Sequence, residues 1–235
     1  MLGGLNIVFI CTPFTVQYST PGFQESESAA LRVSVFFAKK GLYGSISTRM
    51  LHVLTGSHKG RKLKVPKGQK IRPTTSRVKK SIFDRLGDIS GLRVLDIFAG
   101  TGGLGIESLS QGASHVTFIE KDPSVFKILI QNITECGLRE EATLICAGYE
   151  QALKNLSRDE EMFDIIFIDP PYKLYETLKV RDFVNSAAPV LEPEGLIVIE
   201  HDHKINDAPP GFTRFTKPFG GTHLSFFRRS EECVK

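Results

Sequence analysis

Tryptophan is absent from this 235-residue chain, and its four cysteines, Cys11, Cys136, Cys146 and Cys233, stand apart with no paired spacing. No Cys-x-x-Cys unit is present to hold a metal or exchange a disulfide, so the thiols read as reduced cysteines of an intracellular protein. Long apolar runs are missing as well. The longest, Leu5 to Val16, contains Pro13; it is about 12 residues long, whereas a membrane-spanning helix needs roughly 20. The first 24 residues carry no charge, so the positive start of a secretory leader is lacking. Acid is missing over a longer stretch: from Ser28 to Phe83 there is no Asp or Glu, yet there are 14 Lys or Arg.

What is present is an ordinary globular composition, 41% hydrophobic and 24% charged, which suits one or two domains. The net charge of +4 conceals the acid-free block, because the rest of the chain carries 16 basic against 26 acidic residues. Basic residues are densest between Lys59 and Lys80, the footprint expected for a polyanion such as nucleic acid. The block consists of Lys59, Arg61, Lys62, Lys64, Lys67, Lys70, Arg72, Arg77, Lys79 and Lys80.

Residues 1–49 are rich in Ser and Thr and differ in character from the remainder of the chain. They read as a leader or extension outside the fold, with Met50 as an alternative start, unless they serve as an organelle transit peptide. Residues 50–90 form a small basic extension. Leu51 and Val53 face Leu63 and Val65 across a glycine-containing turn, which predicts a β-hairpin. Thr74, Thr75 or Ser76 can cap a helix to Leu86 that puts Val78, Ile82, Phe83 and Leu86 on one face. Residues 91–230 alternate strand and helix: strands at 92–98, 115–120, 143–146, 163–168 and 195–200, helices between them including one over 175–187, and a closing hairpin at 212–216 and 222–228. Such alternation predicts an α/β domain whose mainly parallel sheet has helices on both faces.

The first of these strands ends in Asp96-Ile97-Phe98-Ala99-Gly100-Thr101-Gly102-Gly103-Leu104-Gly105. Gly100, Gly102 and Gly105 satisfy G-x-G-x-x-G between a strand and a helix, where missing Cβ atoms let the backbone approach a ligand. Glu120, 20 residues beyond Gly100 at the end of the next strand, can accept bonds from ribose hydroxyls. A dinucleotide or an adenosine-containing methyl donor fits these features. Asp96 favours S-adenosylmethionine, whose ammonium it attracts and whose rival's pyrophosphate it would repel.

After strand 163–168 comes Asp169-Pro170-Pro171-Tyr172. Proline fixes φ and biases the residue before it to extended geometry, so this is a rigid corner that presents a carboxylate, carbonyls and an aromatic ring. Asp169 and the Pro170 carbonyl can accept the two hydrogens of an exocyclic amine, and Tyr172 can stack on a flipped base. The His201-Asp202-His203 run reads as a polar loop, and no metal is required.

From Leu51-His52-Val53-Leu54-Thr55-Gly56 and Lys59-Gly60-Arg61, through Arg72-Pro73-Thr74, the Phe98–Gly102 loop, Glu120 and the Asp169 corner, to Gly220–Phe227, the chain resembles the RsmD family of 16S ribosomal RNA guanine-N2 methyltransferases. The resemblance implies a Rossmann-like class I methyltransferase with a seven-stranded sheet and a small N-terminal hairpin-and-helix extension that grips RNA. It implies S-adenosyl-L-methionine as donor, with Asp96, Phe98, Gly100, Gly102 and Glu120 around it. Asp169, Pro170, Pro171 and Tyr172 fall at the catalytic corner, and Lys59, Arg61, Lys62, Arg72, Thr74 and Arg77 on the RNA. The expected partner is 16S ribosomal RNA or the small ribosomal subunit, with the enzyme a cytoplasmic monomer away from membranes. One departure stands out: where such enzymes often carry an Asp for the donor adenine, this chain reads Ala147-Gly148-Tyr149. Two other readings of the same residues stay open, an N6-adenine methyltransferase acting on DNA or RNA and a non-catalytic RNA-binding assembly factor.

Overall fold

The computed structural model describes residues 6–9 (backbone only), 51–66, 76–202, 205, 208–219 and 221–230. Five consecutive parallel strands carry the domain: β4 (Arg93–Ile97), β5 (His115–Glu120), β6 (Ala142–Cys146), β7 (Phe163–Ile168) and β8 (Leu191–His201). Their Val, Ile, Leu and Phe runs are buried on both faces, as a sheet covered by helices requires. The antiparallel pair β9 (Phe212–Phe219) and β10 (Thr222–Arg229) closes one edge, with β10 inserted beside β8. At the opposite edge a short strand, β1 (Asn6–Phe9), pairs parallel with β6. The full order is therefore β1-β6-β5-β4-β7-β8-β10-β9. Seven strands are expected from the sequence, and β1 is an eighth; it draws residues 6–9 onto the sheet, although the composition of 1–49 suggests a segment outside the fold. The remaining residues of that segment lie outside those described.

One face of the sheet packs against α1 (Ser76–Leu86), α2 (Gly103–Ser110) and α3 (Pro123–Cys136), the other against α4 (Tyr149–Arg158) and α5 (Val180–Ala187). Local chemistry sets several of these ends. Asp122 accepts the Ser124 and Val125 amides to start α3 behind Pro123, and Gly137 at φ 76° stops it. The helix expected over 175–187 divides into a 3₁₀ turn, Tyr172–Glu176, and α5. The division has a cause: the Leu174 carbonyl accepts both Thr177 N and Leu178 N, and the Asp182 side chain accepts Lys179 N at 2.8 Å to begin a fresh helix. His201 is likewise no loop residue; it is buried at the end of β8, with Nε2 2.8 Å from Ser225 Oγ and its ring stacked on His223.

The hairpin formed by β2 (Leu51–His52) and β3 (Lys62–Leu63) lies along α2 and buries Val53 and Leu63 in the same core as Phe83 and Phe167. Glu107 on α2 organises this contact. Its carboxylate accepts Leu54 N at 2.8 Å, Thr55 N and Thr55 Oγ1 at 2.8 Å, and Lys79 Nζ at 2.8 Å. Lys79 also donates to the His52 carbonyl at 2.9 Å. This lysine belongs to the block read from sequence as polyanion-binding, but it is fully buried and serves the core instead. Burial lowers the Lys79 ammonium from its usual range against the pull of Glu107. Burial would raise the Glu107 carboxyl, yet its bonds from Lys79, Leu54 and Thr55 outweigh that and hold it below the ordinary value.

Lys79→Met strands the Glu107 charge in the core, a change worth about 3–5 kcal/mol. Urea unfolding of this variant should show that loss at an unchanged m-value, and Glu107→Leu, which also strands two backbone amides, should lose more. A loss under about 1 kcal/mol for either would remove the pair from this central place.

Candidate active site

Three carboxylates stand at the carboxyl ends of three adjacent strands. Asp96 is near the end of β4, Glu120 closes β5, and Asp169 follows β7; Ile97 pairs with Ile119 on one side and Ile168 on the other. Open α/β sheets bind their ligands at this edge.

Asp96 is fully buried and accepts the Gly105 amide at 2.9 Å, so it anchors the first turn of α2. Burial pushes its carboxyl up to about 7, opposed by the Gly105 bond and reinforced by the charges of Asp169 and Glu120. Glu120 bridges the loop: Oε2 accepts Gly100 N at 3.0 Å and Oε1 accepts Asp122 N at 2.7 Å. Burial raises this carboxyl too, against those backbone bonds. With Lys121 N as a third backbone donor, the carboxylate keeps one lone pair for a hydroxyl donor.

Two glycines of the loop are required by space. Gly102 has φ 90°, and a Cβ there would sit 2.7 Å from Leu129 Cδ1; a Cβ on Gly105 would fall 2.2 Å from the Phe118 ring. At Gly100 the nearest atom to such a Cβ would be the Phe98 carbonyl oxygen at 3.9 Å, which leaves open space beside the loop. Phe98 itself has φ 67°, a strained value for a residue with a side chain. Its ring is half-buried and packs 5.0 Å from Tyr149 and edge-on to Phe183 at 6.0 Å. Tyr175 abuts Phe183 and donates its hydroxyl to the Glu200 carbonyl at 2.7 Å, which ties the turn after the Asp169 corner to β8. Sequence reasoning passes over this aromatic wall of Tyr149, Tyr175 and Phe183. Its one sequence cue is the Ala147-Gly148-Tyr149 run, which leads into α4 where such enzymes often carry an Asp.

The structure thus gathers Asp96, Phe98, Gly100, Gly102, Glu120 and Asp169 at one edge. Pro170 is buried and Pro171 exposed, and Tyr172 opens the 3₁₀ turn. Lys59, Arg61 and Lys62 are not part of this group. The Gly56–Gly60 turn lands at the foot of α2, where Ser57 N donates to the Ser110 carbonyl at 2.7 Å, and Arg61 reaches the Glu135 carbonyl at the end of α3. At about 1.5 Å per residue, α2 separates them from the glycine loop by roughly 12 Å. Arg77 is exposed in the first turn of α1. Arg72 and Thr74 lie outside the described residues. Among the described residues no group of three or more His, Cys, Asp or Glu could hold a metal ion, and no helix is long and apolar enough to cross a membrane.

The chemistry of this edge suits S-adenosylmethionine: buried acid for a cation, a hydroxyl acceptor at Glu120, and room over Gly100. A sheet of this order with its ligand edge so furnished is that of a class I S-adenosylmethionine-dependent methyltransferase. The chain belongs to the family described as conserved hypothetical protein 95, which it matches over residues 51–228. It is 40% identical over 156 residues to "Putative rRNA methyltransferase YlbH" of Bacillus subtilis, covering 66% of this chain and 84% of that one. It is 34% identical over 136 residues to "Ribosomal RNA small subunit methyltransferase D" of Escherichia coli, covering 56% and 67%. The solved structure "Putative methyltransferase yhhF from Escherichia coli" superposes with a TM-score of 0.66 at 28% identity, covering 77% of this chain and 99% of that one.

Because the Asp96 carboxyl is raised from 3.8 to about 7, the folded state holds a proton that the unfolded chain releases. Stability from this group is therefore present below pH 3.8 and declines as pH rises toward 7. Asp96→Asn, which keeps an acceptor for Gly105 N, should melt well above the wild type at pH 8 and close to it at pH 4. Equal melting shifts at both pH values would contradict the raised carboxyl.

Proposed function

We propose that the chain transfers the methyl group of S-adenosylmethionine to the exocyclic N2 amine of a guanine in small-subunit ribosomal RNA. The observation that carries this reading is the Asp169-Pro170-Pro171 corner, held at the carboxyl end of β7 within the electrostatic reach of Asp96. The names of the relatives, methyltransferases of ribosomal RNA, support the substrate.

When bound, S-adenosylmethionine supplies a methyl group made electrophilic by its sulfonium. The protein's own share is position and electrostatics. Asp96 and Glu120 would hold the donor through its ammonium and ribose, with Phe98 and the Gly100–Gly102 backbone beside it. Asp169 and the Pro170 carbonyl accept the two amine hydrogens, which turns the nitrogen lone pair toward the methyl. The Asp169 carboxylate stabilises the positive charge that develops on nitrogen until its proton passes to solvent water, and Tyr172 would stack on the base. Residues 50–90 grip the RNA through Lys59, Arg61, Lys62, Arg72, Thr74 and Arg77, and residues 91–230 carry out the transfer. The partner in this reading is 16S ribosomal RNA or the small subunit, met by a monomer in a bacterial-type cytoplasm, or in an organelle should residues 1–49 act as a transit peptide.

Asp169→Ala should lower the rate of transfer to unmethylated small-subunit RNA by about 10²-fold or more, as loss of a charge-stabilising group does. Its donor affinity should stay within about threefold of the wild type. Transfer at near wild-type rate would overturn the mechanism. Donor affinity of the wild type should also weaken as pH falls below about 7, because Asp96 must then lose a proton to meet the ammonium. Asp96→Asn should bind more weakly and lose that dependence, and titration calorimetry across pH 5.5–8 reads both.

A further inference from the structure

Between α1 and the edge strand β9 runs a groove of about 330 Å³ whose lining includes Arg85, Arg228, Phe215 and Phe226. Phe215 is 43% exposed and is the exposed large hydrophobic side chain among the described residues. The Arg85 guanidinium lies 3.8 Å above the Phe215 ring and 5.6 Å from Phe226, so its plane is held by stacking. Other arginines that stack on rings here are already engaged. Arg93, over Phe163, pairs with Glu161, and Arg229, over Phe212, donates to the Ala188 carbonyl. Among the described residues neither Arg85 nor Arg228 has a carboxylate within ion-pairing distance, and both are exposed. Asp84, the acid nearest in sequence to Arg85, is paired with Lys80.

The placement of these charges is ordered. Arg77, Ser81 and Arg85 succeed one another at four-residue spacing on one side of α1, spanning about 12 Å. Across the groove β9 alternates its side chains, so Phe215 and Lys217 face the same way, and Lys217 Nζ donates to Ser81 Oγ at 3.3 Å. Arg77, Lys217, Arg85 and Arg228 therefore form a rail from the end of α1 nearest the glycine loop to the foot of the sheet. Lys79, two residues past Arg77, marks that upper end: its Nζ is 3.5 Å from the Gly103 carbonyl.

We propose that this groove is a second RNA-backbone site, in which Arg85 and Arg228 hold phosphates of the substrate strand as it leaves the active-site edge. This site rests on the proposed RNA substrate. A planar guanidinium fixed against an aromatic ring offers its free N–H groups as a fork that matches phosphate oxygens. The small apolar floor and the absence of acid from the lining favour a polyanion over a protein surface.

The test uses the full chain and labelled, unmethylated small-subunit RNA, titrated from 50 to 300 mM salt. The double variant Arg85→Gln, Arg228→Gln should bind about tenfold more weakly near 0.1 M salt and flatten the slope of log affinity against log salt by about 1.5, the value for two lost phosphate contacts. Its donor affinity should match the wild type, which reports that the fold is intact. Phe215→Ala, which keeps both charges but releases Arg85, should cost about threefold with the slope unchanged. Wild-type affinity and slope in the double variant would overturn the site alone. A loss seen only with assembled subunits, free RNA being held normally, would also overturn it and assign the groove to a protein. A wild type that binds no RNA would overturn the proposed function and this site with it.

Discussion

The Glu107 carboxylate is where the basic hairpin, the helix after it and the glycine loop become one body. It sits on α2, whose first turn is anchored by Asp96, and it collects Lys79 from α1 and two backbone amides from the hairpin. A buried carboxylate with a single partner would be a net cost. This one has its charge matched and its lone pairs occupied, so removing any partner is penalised while the complete set is tolerated. The consequence reaches the ligand edge. Hairpin and α1 cannot shift without pulling on the helix that begins at Gly103, so the basic hairpin and the ligand edge share one frame.

The ligand edge shows the opposite use of acid. Burial raises the Asp96 carboxyl, and the charges of Asp169 and Glu120 raise it further; Glu120 is raised by burial as well. Such a cluster concentrates negative charge at the strand ends. A cationic ligand relieves it, which is the electrostatic logic of binding a sulfonium donor at strand ends.

Much of this is legible in the sequence because glycine and proline carry backbone meaning. The glycine loop, the Pro-stiffened corner and the strand–helix alternation each come from residue types at fixed spacing, and the structure puts Asp96, Gly100, Glu120 and Asp169 at one edge. Lys79 is not legible, because a run of basic residues does not say which member turns inward. That needs the position of Glu107, 28 residues later in sequence and reached only through the packing of α1 on α2. The break before α5 hides in a side-chain cap, Asp182 on Lys179 N, that a helical apolar pattern overrides. Strand β1 lies in a segment whose composition differs from the domain it joins. The aromatic wall is assembled from the end of β4, α4, the 3₁₀ turn and α5, so no local window contains it.

The most direct measurement is the chemical identity of the product. The full chain, with labelled S-adenosylmethionine, is incubated with small ribosomal subunits lacking their native methylation, and the digested RNA nucleosides are identified by mass. N2-methylguanosine is the expected product. N6-methyladenosine would keep the corner but contradict the guanine assignment, and an unlabelled RNA would contradict the substrate altogether.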